Sequence, residues 1–150
     1  MNLLLLRAVD MTDDKIVAYE NFNSSLKNDD GGWTHTLVED IAVGEPVIYP
    51  GPYIRGDHLH QYSKDICIGL DVNMIPIYIN DIVATMEETI SHGDCSIEGV
   101  IEIDHDFQIY IDIDYKGECI SFFDVIEMGI LVIGNIYNGY YNEWLDKHAL

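Results

Sequence analysis

"IEIDHDFQIYIDIDY", residues 101–115, decides the fold. Alternate side chains of a strand share a face. Ile101 and Ile103 therefore point one way and Glu102 and Asp104 the other. Beyond Asp106 the alternation resumes, with Phe107, Ile109, Ile111, Ile113 and Tyr115 set against Asp112 and Asp114. The stretch predicts a β-hairpin, apolar on one face and acidic on the other. Both isoleucine rows meet one core only if paired positions sum to an even number, as with Ile103 opposite Ile109. That register leaves a three-residue loop centred on Asp106. It also puts Asp112 and Asp114 on the outer face with Glu98, Glu102 and Asp104.

Working outward, short runs rich in Ile, Val, Tyr and Phe recur between Gly, Asn and Asp, with few 3.6-residue patterns. A mainly-β domain follows. The expected strands are Leu3–Val9, Lys15–Tyr19, Thr34–Val38, Pro46–Tyr49, Ile75–Met86, Ile97–Asp104, Phe107–Tyr115, Cys119–Val125 and Ile130–Tyr137. "NDDGG" (28–32) and "YPGPYIRGD" (49–57) read as turns or loops. In "YNEWLDKHAL" (141–150), Tyr141, Trp144, Leu145 and His148 have helical spacing, and Asn142 could cap a short final helix over the end of a sheet. No repeat or composition shift divides the 150 residues, so one domain is expected.

A chain of this length buries roughly 70% of the surface its unfolded form exposes. It carries 27 acidic against 7 basic residues, for a formal charge of -20, yet 48% of it is hydrophobic. That combination describes a folded acidic protein and excludes a disordered tail. Such a charge repels phosphate, which disfavours nucleic acid and anionic bilayers as direct partners and leaves a basic protein surface as the natural counterpart. Cys67, Cys95 and Cys119 are odd in number and lack a C-x-x-C, so neither a disulfide framework nor a zinc ribbon is expected, and a reducing cytoplasm fits. The leucine run in "MNLLLLRAVD" is too short for a membrane span and lacks the basic start of a signal peptide.

From Asp65 through Tyr115 there are twelve acids and no Lys or Arg. Local salt bridges cannot absorb them, so their repulsion must be screened by salt or by a partner. Literal mimicry of DNA is limited by spacing. Carboxylates on alternate strand positions lie about 6.8 Å apart, whereas a duplex carries a charge roughly every 1.7 Å of axis. Further rows would have to come from Asp65, Asp71, Glu87, Glu88, Asp94, Glu98 and Asp124.

Other chemistry is thinly supported. Asp104, Asp106, Asp112 and Asp114 could meet a hard cation, but no D-x-D-x-D-G loop gathers them and a hairpin spreads them along a face. His58 and His60 have a chelating spacing without a third ligand. The cysteines sit among apolar or small neighbours, as buried thiols do. No G-x-S-x-G, P-loop, dinucleotide fingerprint or H-E-x-x-H occurs. No catalytic residue, metal or cofactor is therefore assigned. Tyr137, Tyr140, Tyr141 and Trp144 read as core cover supplied by the final helix, with an interface anchor as the alternative, and an exposed sheet edge would let two copies pair.

Gly69-Leu70, the turn at Val72-Asn73, "IYINDIV" (77–83), "EGVIEID" (98–104) and "VIGNIY" (132–137) together resemble the YopX-like family of phage and prophage proteins. "LRAVD" and "KIVAY" near the start resemble its opening strands. The resemblance covers the start and most of residues 61–145, and leaves 21–60 unspecified. It implies a mainly-β fold with a small SH3-like barrel in the C-terminal half, in a chain expressed in a bacterial cytoplasm; the strands and final helix read from the pattern then make an N-terminal β extension and a short C-terminal helix. It carries over no catalytic residues. Where the family's turn reads Asn-Gly, Asn73 is followed by Met74, and Asn80 replaces the Gly usual before the strand-opening Asp.

The expectation from charge and resemblance is a non-enzymatic inhibitor. Glu98, Glu102, Asp104, Asp106, Asp112 and Asp114 would dock on the basic surface of a bacterial nuclease, polymerase or repressor, in an anti-CRISPR or other anti-defence role. The alternative is a homo-oligomeric accessory or assembly module whose acidity serves solubility.

Overall fold

The computed structural model describes residues 6–23, 32–53, 62–85, 98–113, 118–126, 129–137 and 139–148. The His58/His60 pair, Cys95, Glu87, Glu88, Asp94, Asp114 and the "NDDGG" turn up to residue 31 lie outside them. The chain is mainly β and forms two compact units, Met1–Cys67 and Ile68–Leu150.

The first unit contains β1 (Leu6–Asp10), β2 (Lys15–Asn23), β3 (Gly32–Leu37), α1 (Val38–Val43), β4 (Ile48–Pro50) and most of β5 (Tyr62–Leu70), with sheet order β4-β3-β2-β1-β5. Neighbouring strands are antiparallel. β5 was not among the expected strands, because Lys64 and Asp65 interrupt its apolar pattern. The fold compensates both charges. Arg7 lies directly across from Asp65, and its Nε donates to Asp65 Oδ2 at 2.8 Å with both side chains buried. Lys64 Nζ donates to Oε2 of the fully buried Glu20 at 2.7 Å, and Glu20 also accepts the Tyr53 N–H. Buried charges persist only when paired and hydrogen-bonded in this way. α1 was likewise not expected from the sequence; none of its residues is buried.

The second unit contains β6 (Pro76–Tyr78), β7 (Asp81–Thr85), β8 (Glu98–Ile103), β9 (Ile109–Ile113), β10 (Glu118–Ser121), α2 (Phe122–Val125), β11 (Ile130–Asn135) and α3 (Tyr140–His148). Its five-stranded antiparallel sheet is open, with order β10-β9-β8-β7-β11. Ile101 pairs with Ile111 and Ile111 with Ile120, so one face presents a continuous aliphatic row. Ile77, Ile79, Val83, Ile113, Phe122 and Ile130 complete that core.

Three expected elements are corrected. Ile75–Met86 is two strands, because Asn80 takes a left-handed φ of 74° and Asp81 Oδ2 accepts the Tyr78 N–H at 2.8 Å, closing a turn. Asn tolerates that conformation better than most residues, which is why it can stand where a Gly would serve. Cys119–Val125 starts as β10 but turns into α2 at Phe122, which buries Phe122 while leaving Phe123 exposed. α3 starts at Tyr140, so Asn142 lies inside its first turn and is not the cap. The Asn73-Met74 turn holds Met74 at φ 66°, the slot in which glycine is least strained.

Among the described residues, no helix is long and apolar enough to cross a membrane.

Candidate functional site: the open half of an acidic sheet face

The hairpin of β8 and β9 has the register expected from its pattern: Ile103 faces Ile109, Ile101 faces Ile111, and Glu102 faces Tyr110. Asp104 N–H donates to Gln108 O and Phe107 N–H to Asp104 O, both at 3.0 Å, leaving His105, Asp106 and Phe107 as the loop. Asp104 Oδ1 accepts the Asp106 and Gln108 N–H groups at 2.8 and 2.9 Å. This carboxylate therefore fastens the turn as well as contributing charge. Asp106, at the tip, has 75% of its side chain in solvent beside His105, 3.6 Å away.

The two ends of the outer face differ. Toward β7 and β11 it is covered: Ile82 and Val100 pack beneath Trp144, with Tyr140, Tyr141 and Leu145 around them. Tyr140 lies over Gly134, where a Cβ would come within 2.1 Å of its ring. Glu98 belongs to this covered end, and its Oε2 accepts the Trp144 Nε1–H at 3.3 Å. Toward β10 the face is open among the described residues. Glu102, Tyr110 and Ser121 form one cross-strand row, with Asp112 and Cys119 in the next. Asp104, Gln108, Tyr110, Asp112, Cys119 and Ser121 line a shallow groove there.

Electrostatics mark this half. The Tyr110 hydroxyl donates to the Glu102 carboxylate, and that bond, partial burial and the charges of Glu102, Asp112 and Asp104 push its pKa up to about 12. Ile68–Leu150 as a whole holds sixteen Asp and Glu against two Lys and no Arg, net -14; the first unit has eleven acids against five bases, net -6. Lys147 on α3 is the one Lys or Arg among the second unit's described residues. Fields from like charges add over such a face.

Glu102, Asp104, Asp106 and Asp112 are thus brought together, Glu98 is set apart under Trp144, and Asp114 lies outside the described residues. The further rows expected around them are not supplied by Asp65 or Asp71, which are interior. Asp65 pairs with Arg7. Asp71 accepts Asn73 and Ile75 N–H through Oδ1 and Val132 N–H through Oδ2. Asp124 is exposed on α2. Tyr110 was missed at the sequence level, although the same register places it opposite Glu102. Among the described residues, no group of three His, Cys, Asp or Glu could hold a metal ion. Cys67 is half-buried and Cys119 exposed, so neither is the buried thiol expected from its apolar or small neighbours.

No protein-family model, curated protein or solved structure matches the chain.

Proposed function

We propose that the chain is a non-enzymatic binding protein of phage or prophage origin that inhibits a bacterial nucleic-acid-binding protein, as an anti-CRISPR or other anti-defence factor would. It docks the open half of the β8–β9–β10 face on its partner's basic surface. The observation that carries this reading is the gathering of Glu102, Asp104, Asp106 and Asp112 on one open sheet region of a unit with net charge -14. The YopX-like resemblance supports the phage origin, a bacterial cytoplasm as the setting, and kinship of the second unit with small SH3-like barrels.

With Asp65 and Asp71 turned inward, the face is a compact anionic patch and not a replica of a duplex backbone. Such a patch speeds encounter and sets orientation, and its contribution is screened by salt. The test is capture from bacterial lysate at rising ionic strength, comparing the wild type with a Glu102→Gln, Asp106→Asn, Asp112→Asn variant. A nucleic-acid-binding protein retained by the wild type, released by salt and lost with the variant supports the reading. A captured set indifferent to both changes refutes it.

The homo-oligomeric reading has one observation in its favour. Ile41, Val43, Val47 and Ile48 of the first unit expose large apolar side chains, Val43 to 86%. Light scattering separates the readings: an assembly module self-associates in a way that neutralising the acidic face does not abolish.

A further inference from the structure

The first unit holds a groove of about 500 Å³ between the β1–β2 turn and α1, which is within the size range of small-molecule sites. Its apolar lining is Ile16, Val17, Leu37, Val38, Ala42 and Tyr53. None of these six residues is buried, so each still has area to remove from water. One wall is α1, none of whose residues is buried.

The backbone is shaped to make this lining. Ala8 pairs with Ala18 and Val9 with Ile16, so Val17 is the extra residue of a β-bulge. Strict alternation would send Ile16 and Val17 to opposite faces; with the bulge both line the groove. Bulges interrupt ladder pairing and recur where a strand re-aims a side chain at a binding site.

The charged residues at the groove specify the sign of its occupant. Among the described residues, its charged lining is Asp10, Asp13 and Glu39 with Lys15. Lys15 Nζ is 4.0 Å from Asp13 Oδ2, with both side chains more than half exposed, a separation and exposure at which an ion pair is weak. Asp10 is largely buried, and its Oδ1 accepts Thr12 and Asp13 N–H. Asp13 and Glu39 are the exposed carboxylates left to meet a ligand.

We infer that this groove binds a small organic cation, an ammonium or guanidinium group on an apolar stem. The stem packs against Val17, Val38, Ala42 and Tyr53, and the cation is held by Asp13 and Glu39. The inference uses only the first unit and is independent of the acidic sheet face.

The test is titration of the isotope-labelled full chain with phenethylammonium chloride, followed by amide NMR. Phenethyl alcohol, the same stem with a neutral head, is the control. Expected are saturable shifts at Ile16, Val17, Val38 and Ala42, with the alcohol weaker by about tenfold, as the loss of one or two exposed charge contacts dictates. Ala42 is exposed, so Ala42→Trp should leave the fold intact, fill the groove and remove binding. Asp13→Asn with Glu39→Gln should lower the amine's affinity to that of the alcohol. Equal affinity of amine and alcohol overturns the inference, as do shifts that survive Ala42→Trp. It is equally overturned if an acetylated arginine peptide moves these resonances while neither phenethylammonium nor a small alkylguanidinium does.

Discussion

Asp71 and Asp106 are both acids of the lysine-free stretch, yet Asp71→Ala should be costly and Asp106→Ala nearly silent. Asp71 is 5% exposed and accepts three backbone N–H groups, at 2.8, 2.9 and 3.1 Å. Bonds to a charged acceptor contribute about 1.5 kcal/mol or more each. Water can replace the carboxylate at Asn73 and Ile75, which are exposed, but less readily at the half-buried Val132 of β11. The net cost should be about 3 kcal/mol, which at a urea m-value of about 1.5 kcal/mol/M lowers the unfolding midpoint by about 2 M. Asp106 accepts nothing comparable at the hairpin tip, and its removal should stay within about 0.5 kcal/mol. Urea unfolding followed by Trp144 fluorescence in a Trp33→Phe background reads the second unit alone. Equal midpoints for the two variants would refute the division into structural and surface acids.

Other consequences can be checked with the same chain. Gly99→Ala should cost about 1–3 kcal/mol, because its Cβ would lie 2.5 Å from Ile111 Cγ2 and 2.6 Å from Asp112 O, as thermal unfolding would read. Phe107 holds a φ of 61° with 81% of its surface in solvent, so Phe107→Gly should hold or raise stability, by up to about 1 kcal/mol. The raised pKa of Tyr110 means its neutral form is favoured by the fold; that stabilisation is complete below pH about 10 and is lost as pH climbs through about 12. In Glu102→Gln the Tyr110 pKa should fall toward its ordinary value, as read by ring-carbon NMR; no change would remove Glu102 as the cause.

The hairpin was legible in the sequence because its apolar and acidic positions alternate strictly, and a single register satisfies both strands. β5 was not, since its Lys64 and Asp65 read as loop residues until Glu20 and Arg7, 44 and 58 positions away, supply their partners. The same long-range pairing hid the fate of the acids. Composition counts Asp65, Asp71 and Glu20 as charge available to a partner, while the fold spends them on an ion pair, a turn and a lysine. Glu98 follows the strand parity that was expected, but parity cannot reveal that Trp144, 46 residues later on a helix, would sit on it. The groove beside α1 depends on one unpaired residue, Val17, and no alternation pattern marks it.

The helix over Gly134 has a practical side. Cleavage before Tyr140 would strip Ile82 and Val100 of their cover while leaving every carboxylate of the β8–β9 hairpin in place. A clipped preparation would then be adhesive through hydrocarbon and repulsive through charge on the same surface. Its clumping would worsen in high salt, the condition under which a purely electrostatic association lets go.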